Sequence, residues 1–505
     1  MLNLTPLTRP YFAFLRRRME AVGNPAATEA VQRRLLATLL HTARATAVGE
    51  KYTFVAVASY DVFARRLPLV QYEDVRPEVM RMVCGEKNIL WPGRCRSFAQ
   101  SSGTTGGKSK FIPITDAALR VNHYGGAALS VAAYLGAYPD SRLFGGKSLI
   151  LGGSFANELA DVPQGVCVGD LSATLIDRIN PLVNLFRVPD RKTALMADWS
   201  KKLPLIAEKA AKENVTNISG VPSWFLTVLQ TIIKASGADS IHDVWPHLEV
   251  FFHGGIAFGP YREQYRAITN VSRMRYQENY NASEGFFAVQ DSPESRAMRL
   301  LTDMGVFYEF LAPGADIAVP AWKVEPGSIY ELIISSCNGL WRYRTGDTVR
   351  IESVEPLRIT IAGRTKSFIN AFGEEVMEWN TDAALTAACR RCGASAANYT
   401  AAPVYAGDGH KGRHQWLVEW NAEPQCDIEA FADILDKELQ SVNSDYEAKR
   451  TGGIFLDRLQ IISVPAGTFD CWLKATGKLG GQRKVPRLAN DRSIADHILK
   501  LVNIQ

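Results

Sequence analysis

The sequence predicts an α/β fold: a large N-terminal domain of β-sheets flanked by helices plus a small β-barrel-like part, and a smaller α+β C-terminal domain. Three observations carry this. First, apolar runs ending in glycine pairs, SLILGG at 148–153 and LEVFFHGG at 248–255, alternate with helical stretches around 191–213 and 223–236, a rhythm that places buried strands between layers of helices. Second, between 305 and 362 strand follows strand, as VFYEFLAP, SIYELIISS and PLRITIAG with polar turns between them, which suits an antiparallel sheet or small barrel. Third, beyond Gly363 the elements shorten and mix.

Taken in order, residues 28–47 read as an amphipathic helix with Leu35, Leu36, Leu39 and Leu40 on its apolar side. Residues 115–138 read as a second helix, opened by Thr115 and Asp116 as a cap. After the strand-rich region come a helix near 374–391, strands near 398–405 and 414–420, a helix at 427–441 and a strand near 454–464. The boundary is set at Gly363-Arg364, where glycine allows the backbone to rotate. The domains are then 1–362 and 363–505.

Composition narrows the function. The 505 residues are 47% hydrophobic and 22% charged, ordinary for a globular protein. A net charge of +5 from 57 basic and 52 acidic residues favours anionic substrates slightly. There is no basic stripe interleaved with aromatics, which argues against nucleic acid. No apolar run reaches membrane-span length, and the N-terminal LTRPYFAFLRRRMEAV places Arg16–Arg18 after its apolar residues, the reverse of a signal peptide. A soluble cytoplasmic protein without a membrane partner is expected; oligomeric state is unread. The eight cysteines, at 84, 95, 167, 337, 389, 392, 426 and 471, read as reduced, mostly buried thiols. Cys389-x-x-Cys392 with His410 and His414 has a faint zinc look, but the gap is longer than a zinc finger prefers, and these are read as structural residues.

Chemistry concentrates first at 101–110, SSGTTGGKSK. Glycines let backbone N–H groups and hydroxyls converge on anionic oxygens, and Lys108 and Lys110 add charge-assisted contacts. A flexible turn has the same composition. The P-loop pattern is missed, because its first glycine is Ser102 and because Phe111, Ile112, Pro113 and Ile114 follow where a P-loop opens a helix. A phosphate loop between two strands is expected instead.

Four other segments fit one nucleotide site. FFHGG at 251–255 ends a strand in Gly254 and Gly255, leaving room for a ring, a phosphate or simply a tight turn. In YQENYNASEGFF at 276–287, Tyr280 offers a stacking face and Glu284 a carboxylate for Mg²⁺; a surface loop is the other reading. In LWRYRTGDTVRI at 340–351, Asp347 follows a glycine turn as an acceptor for ribose hydroxyls, or caps a hairpin. GRTKSFINAFGEEVME at 363–378 carries Arg364 and Lys366, and GGQRKVPRL at 480–488 carries Lys484 and Arg487.

The order of these pieces resembles the acyl-adenylate-forming superfamily of acyl-CoA synthetases, peptide-synthetase adenylation domains and luciferases. Within it, SSGTT at 101–105, YNASE at 280–284, YRTGD at 343–347, GVPSW at 220–224 and the terminal Gln482, Lys484, Pro486 and Arg487 are similar to the Gretchen Hagen auxin-responsive family of acyl-acid amido synthetases. The likeness spans nearly the whole chain. It departs from the superfamily at Asn370, where a lysine is common.

The resemblance implies an ATP-dependent ligase with ATP and Mg²⁺ that adenylates a carboxylic acid and then transfers the acyl group to an amine, usually an amino acid. It implies that 1–362 binds nucleotide and acyl substrate and that 363–505 is a mobile C-terminal α+β lid domain, with Lys484 and Lys366 as catalytic lysines and Lys366 at the hinge. The nucleotide would be held by Ser101, Ser102, Gly103, Thr104, Thr105, Gly254, Gly255, Asn279, Tyr280, Asn281, Ser283, Glu284, Asp347 and Arg364, and the metal by Glu284. An acyl- or aryl-CoA ligase shares the first step and is the alternative; a non-catalytic nucleotide-binding protein is a more distant one. Tyr124, Phe155, Trp224, Phe225 and Phe252 are candidates for the acyl-pocket wall, although aromatics in such segments are more often core.

Overall fold

The computed structural model describes residues 3–101, 109–157, 159, 161–256, 258–364, 368–406, 411–476 and 485–502, with only the backbone of Pro260 and Arg364 included. The chain is mixed α/β and divides into two compact units, with the break between Thr365 and Lys366.

In the first unit, twelve strands form one hydrogen-bonded ladder. Its parallel half runs through Arg187–Val188, Lys147–Ile150, Val215–Gly220, Val250–His253 and Arg275–Ala282. Arg275–Ala282 then turns back into Gly285–Gln290, and every later pairing is antiparallel, through Met298–Leu300, Leu357–Arg364, Tyr343–Val354, Ile329–Ser336, Val306–Leu311 and Val319–Pro320. The strand-rich region expected between 305 and 362 therefore extends the same ladder. Hairpins join its strands, so antiparallel pairing needs no crossover helix.

The run Val250–His253 is fully buried, as a strand covered on both faces must be. Alternation sends Phe251 to one face and Phe252 to the other. Phe251 packs on Phe225 of helix Pro222–Ser236 and on Tyr265 of helix Arg262–Ile268, with ring centroids 5.1 and 5.3 Å apart. Phe252 meets Tyr134 of helix Tyr124–Ala137 at 5.6 Å. A second sheet sets Ser97–Ser101 between Lys110–Pro113 and Cys167–Gly169.

Two expected helices are interrupted. The first runs Pro25–Ala43, and Thr46 caps a new turn at Ala47–Lys51 by accepting from Gly49 N. The second begins with a wide turn over Ala118–His123 before Tyr124–Ala137, and Thr115 caps it by accepting from Ala118 N at 3.0 Å.

In the second unit, Arg413–Ala422 is the central strand, antiparallel to Ser395–Val404 and parallel to Gln460–Val464. One face carries Ala402, Leu417 and Val464 against Phe469, Trp472 and Ile498 of helices Thr468–Ala475 and Ser493–Leu501. On the other face Trp420 meets Phe431 of helix Ile428–Val442 edge-on, and helix Glu378–Cys392 lies beside that helix. Inside this unit the buried Glu374 and His414 are joined through Oε1 and Nε2 at 2.8 Å.

Candidate active site

The arms of the glycine-rich loop are strands, as the FIPI that follows it implied. Ser101 stands directly opposite Lys110 at the mouth of the hairpin. Tyr72 anchors one arm, its hydroxyl accepting from Phe111 N at 2.8 Å, and Gln100 donates to Ser109 Oγ across the arms. Ser102, Gly103, Thr104, Thr105, Lys366, Gln482 and Lys484 lie outside the described residues.

At the end of Val250–His253, the two glycines do different work. Gly255 has φ +84°, a left-handed conformation that glycine adopts freely. A Cβ at Gly254 would stand 2.4 Å from Asn279 O and 2.8 Å from Asn281 Oδ1. The close approach at Gly254 is thus made by the neighbouring strand. Asn279 is itself tied inward, its Oδ1 accepting from Ser130 Oγ at 2.6 Å, which locks the strand to helix Tyr124–Ala137.

The Y-N-A-S-E segment is a tight hairpin: Ala282 pairs with Gly285, and Ser283 and Glu284 form the turn. R-T-G-D is a bulge. Arg344 pairs with Ile333 and Thr348 with Glu331, so Thr345, Gly346 and Asp347 face a single residue, Leu332. Gly346 takes φ +82°, and Thr345 ties the bulge down, donating to Leu332 O at 2.9 Å and accepting from Asp347 N at 3.2 Å. Such a bulge re-aims the side chain it carries. Here it brings the Asp347 carboxylate to the Tyr280 hydroxyl, which donates to Oδ2 at 2.6 Å.

A reciprocal contact lies beside it. Tyr343, at the start of the strand bearing Asp347, reaches Glu284 Oε1 with its hydroxyl at 3.5 Å. Each segment supplies one tyrosine and one acid to the other. Both acids are almost buried, at 8% exposure, and Asn338 Nδ2 fixes the Glu284 turn by donating to its carbonyl at 2.9 Å. Asp347 also stands opposite Arg364 in the ladder. Tyr280, Asn281 and Glu284 on one hairpin, with Gly254 at the end of the strand beside it, are thus joined by the Tyr280–Asp347 hydrogen bond to Asp347 and the Arg364 backbone on a strand pair farther along the ladder.

No motif in the sequence marks the residues that brace this cluster. Arg342, with φ +47°, immediately precedes Tyr343. Its guanidinium grips Glu309 through Nε and Nη2 at 3.0 and 2.8 Å, and Nη1 donates to Ala64 O and Leu67 O. Tyr60 adds a hydroxyl to Glu309 at 3.0 Å. Arginine-glutamate-tyrosine spacing across 282 residues of sequence has no local pattern; the only hint was an arginine inside an apolar run at LWRYR.

Two buried histidines flank the region. Burial pushes His123, in the wide turn before helix Tyr124–Ala137, down to about 4. His253, stacked on Phe258 at 4.4 Å, is pushed down to about 3, first by burial and then by Arg262. Both imidazoles are neutral in the fold.

Of the candidates for an acyl-pocket wall, Phe225 and Phe252 are core residues on opposite faces of the sheet. Tyr124, Phe155 and Trp224 are half-buried; Tyr124 donates to Leu175 O, and Trp224 packs edge-on against Trp199. Lys202, fully buried, donates to Gly152 O at 2.5 Å and lies over the Trp199 ring. It anchors the segment leading to Phe155, and burial pushes its amine down to about 8.

The donors around Glu284 are hard oxygens. Among the described residues Asn338 Oδ1, beside the Glu284 turn, is buried without a hydrogen-bond partner, and no group of three His, Cys, Asp or Glu side chains is arranged to hold a metal. A carboxylate with a neighbouring amide oxygen fits Mg²⁺ that keeps water and phosphate as its other ligands.

The model of the GH3 family N-terminal domain matches residues 18–181 and 154–274, that of the central domain 299–364, and that of the C-terminal domain 380–493. A probable indole-3-acetic acid-amido synthetase, GH3.1 of Arabidopsis thaliana, is 23% identical over 93% of this chain and 90% of its own length. The indole-3-acetic acid-amido synthetase GH3.8 of Oryza sativa subsp. indica is 23% identical over 91% and 88%. In structure the chain is similar to the acyl acid amido synthetase AtGH3.15 in complex with 2,4-DB, with TM-score 0.62 and 19% identity over 97% of this chain and 95% of that one. It is also similar to a 2-hydroxyisobutyryl-CoA ligase in complex with 2-HIB-AMP and CoA, with TM-score 0.57 and 14% identity over 96% and 94%. With its three domain models matched in order along the sequence, the chain belongs to the GH3 family.

Proposed function

We propose that this protein is an ATP-dependent acyl-acid amido synthetase. A carboxylate oxygen attacks the α-phosphorus of ATP, giving acyl-AMP and pyrophosphate. An amine, in this reading an amino acid, then attacks the acyl carbonyl; the amide bond forms and AMP leaves. The observation that carries the proposal is the Tyr280–Asp347 hydrogen bond of 2.6 Å, which joins two of the nucleotide motifs in a chain of this family.

The residues divide the work electrostatically. Negative charge spreads over phosphate oxygens in the transition state, so donors fixed in advance stabilise it more than the ground state. Ser101, Ser102, Gly103, Thr104 and Thr105 cradle the β- and γ-phosphates. Tyr280 offers its ring to adenine while its hydroxyl orients Asp347, which takes the ribose hydroxyls. Gly254, Gly255, Asn279, Asn281, Ser283 and Arg364 shape the remaining walls. Glu284 would hold Mg²⁺, which when bound neutralises phosphate charge. Lys484 approaches the carboxylate and α-phosphate, and Lys366 lies at the hinge. Residues 363–505 act as a lid turning about Gly363–Lys366, presenting different faces for the two steps.

Acid and amine are small molecules, and the reading places the reaction in the cytoplasm. Pyrophosphate exchange across aryl, indolyl and fatty acids, followed by mass spectrometry of products with pooled amino acids, tests it. Exchange with an acid and amide formation are expected; release of AMP by coenzyme A alone would make the chain an acyl-CoA ligase, and no exchange with any acid would leave a nucleotide-binding protein.

A further inference from the structure

Three of the eight cysteines meet in the second unit, and none of them has been given a role above. Cys389 and Cys392 are one turn apart at the end of helix Glu378–Cys392. Cys426 lies in the segment just before helix Ile428–Val442, which Asp427 caps. That segment is pinned to the end of the first helix: Gln425 N donates to Cys392 O at 2.9 Å. Gly393, with φ +61°, lets the chain turn there, and a Cβ on it would stand 2.8 Å from the Gln425 side-chain amide. The backbone bond between Gln425 and Cys392 thus sets Cys426 beside the end of the first helix, where its thiol interacts with that of Cys392, and Cys389 lies one turn earlier on the same helix.

The three thiols differ in access. Cys392 is buried, while Cys389 and Cys426 are half-buried. Burial holds the Cys392 thiol protonated, pushed up to about 11. Peroxide reaches the more accessible thiol first, so half-buried Cys426 is the entry point and buried Cys392 the partner waiting behind it. The trio does not form a metal site among the described residues.

We infer that Cys392 and Cys426 form a reversible dithiol site, closed to a disulfide by peroxide and reopened by a small thiol. The Cys426 thiolate attacks one oxygen of hydrogen peroxide; the O–O bond breaks, leaving a sulfenic acid and hydroxide, which takes the thiol proton to become water. The Cys392 sulfur then attacks the sulfenic sulfur. The S–S bond forms, the S–O bond breaks, and hydroxide leaves with the Cys392 proton as a second water. Two thiols lose two electrons and one peroxide gains them. The bond ties the C-terminal end of helix Glu378–Cys392 to the start of helix Ile428–Val442, fastening the two helices on one face of this unit.

The sequence makes the test clean. Arg390 and Arg391 separate Cys389 from Cys392, and Lys411 and Arg413 separate Cys392 from Cys426, so trypsin puts each cysteine on its own peptide. The full chain is treated with hydrogen peroxide, free thiols are blocked with N-ethylmaleimide, and the digest is analysed without reductant. A linked pair holding Cys392 and Cys426 is expected, with the denatured thiol count falling from the eight of the sequence by two and returning after dithiothreitol. Cys426→Ser abolishes the linked pair, and Cys389→Ser leaves it unchanged. A thiol count that does not fall, linkage through Cys389 instead, or disulfides only between separate chains overturns the inference. Because Cys426 is half-buried, Cys426→Ser is the variant that keeps the test readable if Cys392→Ser does not fold.

Discussion

Tyr280 and Asp347, 67 residues apart, are joined by a 2.6 Å hydrogen bond. A carboxylate at 8% exposure needs such a donor, because a buried charge is stable only when hydrogen-bonded. In the proposed function the tyrosine has two duties, its ring toward adenine and its hydroxyl toward the proposed ribose acceptor Asp347. Tyr280→Phe keeps the ring and loses the hydroxyl. Removing a charge-assisted bond costs about 1.5–3 kcal/mol, so the ATP KM should rise roughly ten- to a hundredfold with kcat changed far less. Asp347→Ala should raise it similarly, and the double variant should cost less than the sum of the two. Additive losses in pyrophosphate-exchange titrations would mean that the two residues act separately.

Gly254→Ala tests the packing between strands. The new methyl would stand 2.4 Å from Asn279 O and 2.8 Å from Asn281 Oδ1, and both atoms belong to the Y-N-A-S-E strand. Overpacking of this kind costs about 1–3 kcal/mol. The expected outcome is a lower melting temperature together with a raised ATP KM, since the shift is passed along the strand that bears Tyr280. A variant with wild-type melting and wild-type KM would show that the loop opens without cost.

The limits of the sequence reading follow from which forces are local. Buried strands such as Val250–His253 announce themselves as apolar runs, and helix Pro222–Ser236 by its period. The break at Arg44–Thr46 also had a local signal in Thr46, which caps the next turn. The bulge at Thr345–Asp347 did not, because a bulge exists only relative to its partner strand. For the same reason the continuity of the twelve-stranded ladder was hidden: Met298–Leu300 pairs with Leu357–Arg364 across an intervening stretch of chain. The acids Glu284 and Asp347 were legible as motif residues, whereas their tyrosine donors acquire partners only once the two segments are folded together.

Glu309 and Arg342 brace the strand that carries Tyr343. They form a nearly dry ion pair, 1% and 6% exposed, and breaking such a pair by removing one partner costs about 3–5 kcal/mol. Glu309→Ala should therefore lower the melting temperature strongly. Arg342→Lys, which keeps the charge but not the two-pronged grip, should lose a smaller part. Equal melting of Arg342→Lys and wild type would show that the fork geometry contributes nothing.

The buried histidines set the acid side of the stability profile. Burial leaves His123 titrating near about 4 in the fold instead of 6.5, and His253 near about 3. When the chain unfolds, each imidazole regains its ordinary affinity for a proton. Stability is therefore fully present above pH 6.5 and is lost as the pH falls from there toward the folded values, because the unfolded chain binds protons that the folded chain refuses. By pH 5 the loss is about 2 kcal/mol for each histidine, and it begins above the range where carboxylates titrate. Urea unfolding at pH 7 and pH 5 measures it; His123→Asn should flatten the profile by about one histidine's share, and a wild-type profile flat over this window would contradict the neutral imidazoles.

Glu284→Gln and Lys484→Ala separate metal from lysine in adenylation. Glutamine keeps an oxygen but no charge, so Glu284→Gln should need more Mg²⁺ for half-maximal exchange and recover much of its rate at high Mg²⁺. Lys484→Ala removes a cation proposed to act between carboxylate and α-phosphate, and no concentration of Mg²⁺ should restore it. Its exchange rate should fall roughly ten- to a hundredfold, matching the loss of one charge-assisted contact of about 1.5–3 kcal/mol. Amide formation from supplied acyl-AMP should change far less, because the α-phosphorus is no longer the reacting centre. An exchange rate untouched by Lys484→Ala would remove that lysine from the adenylation step and leave Lys366 as the cation to test next.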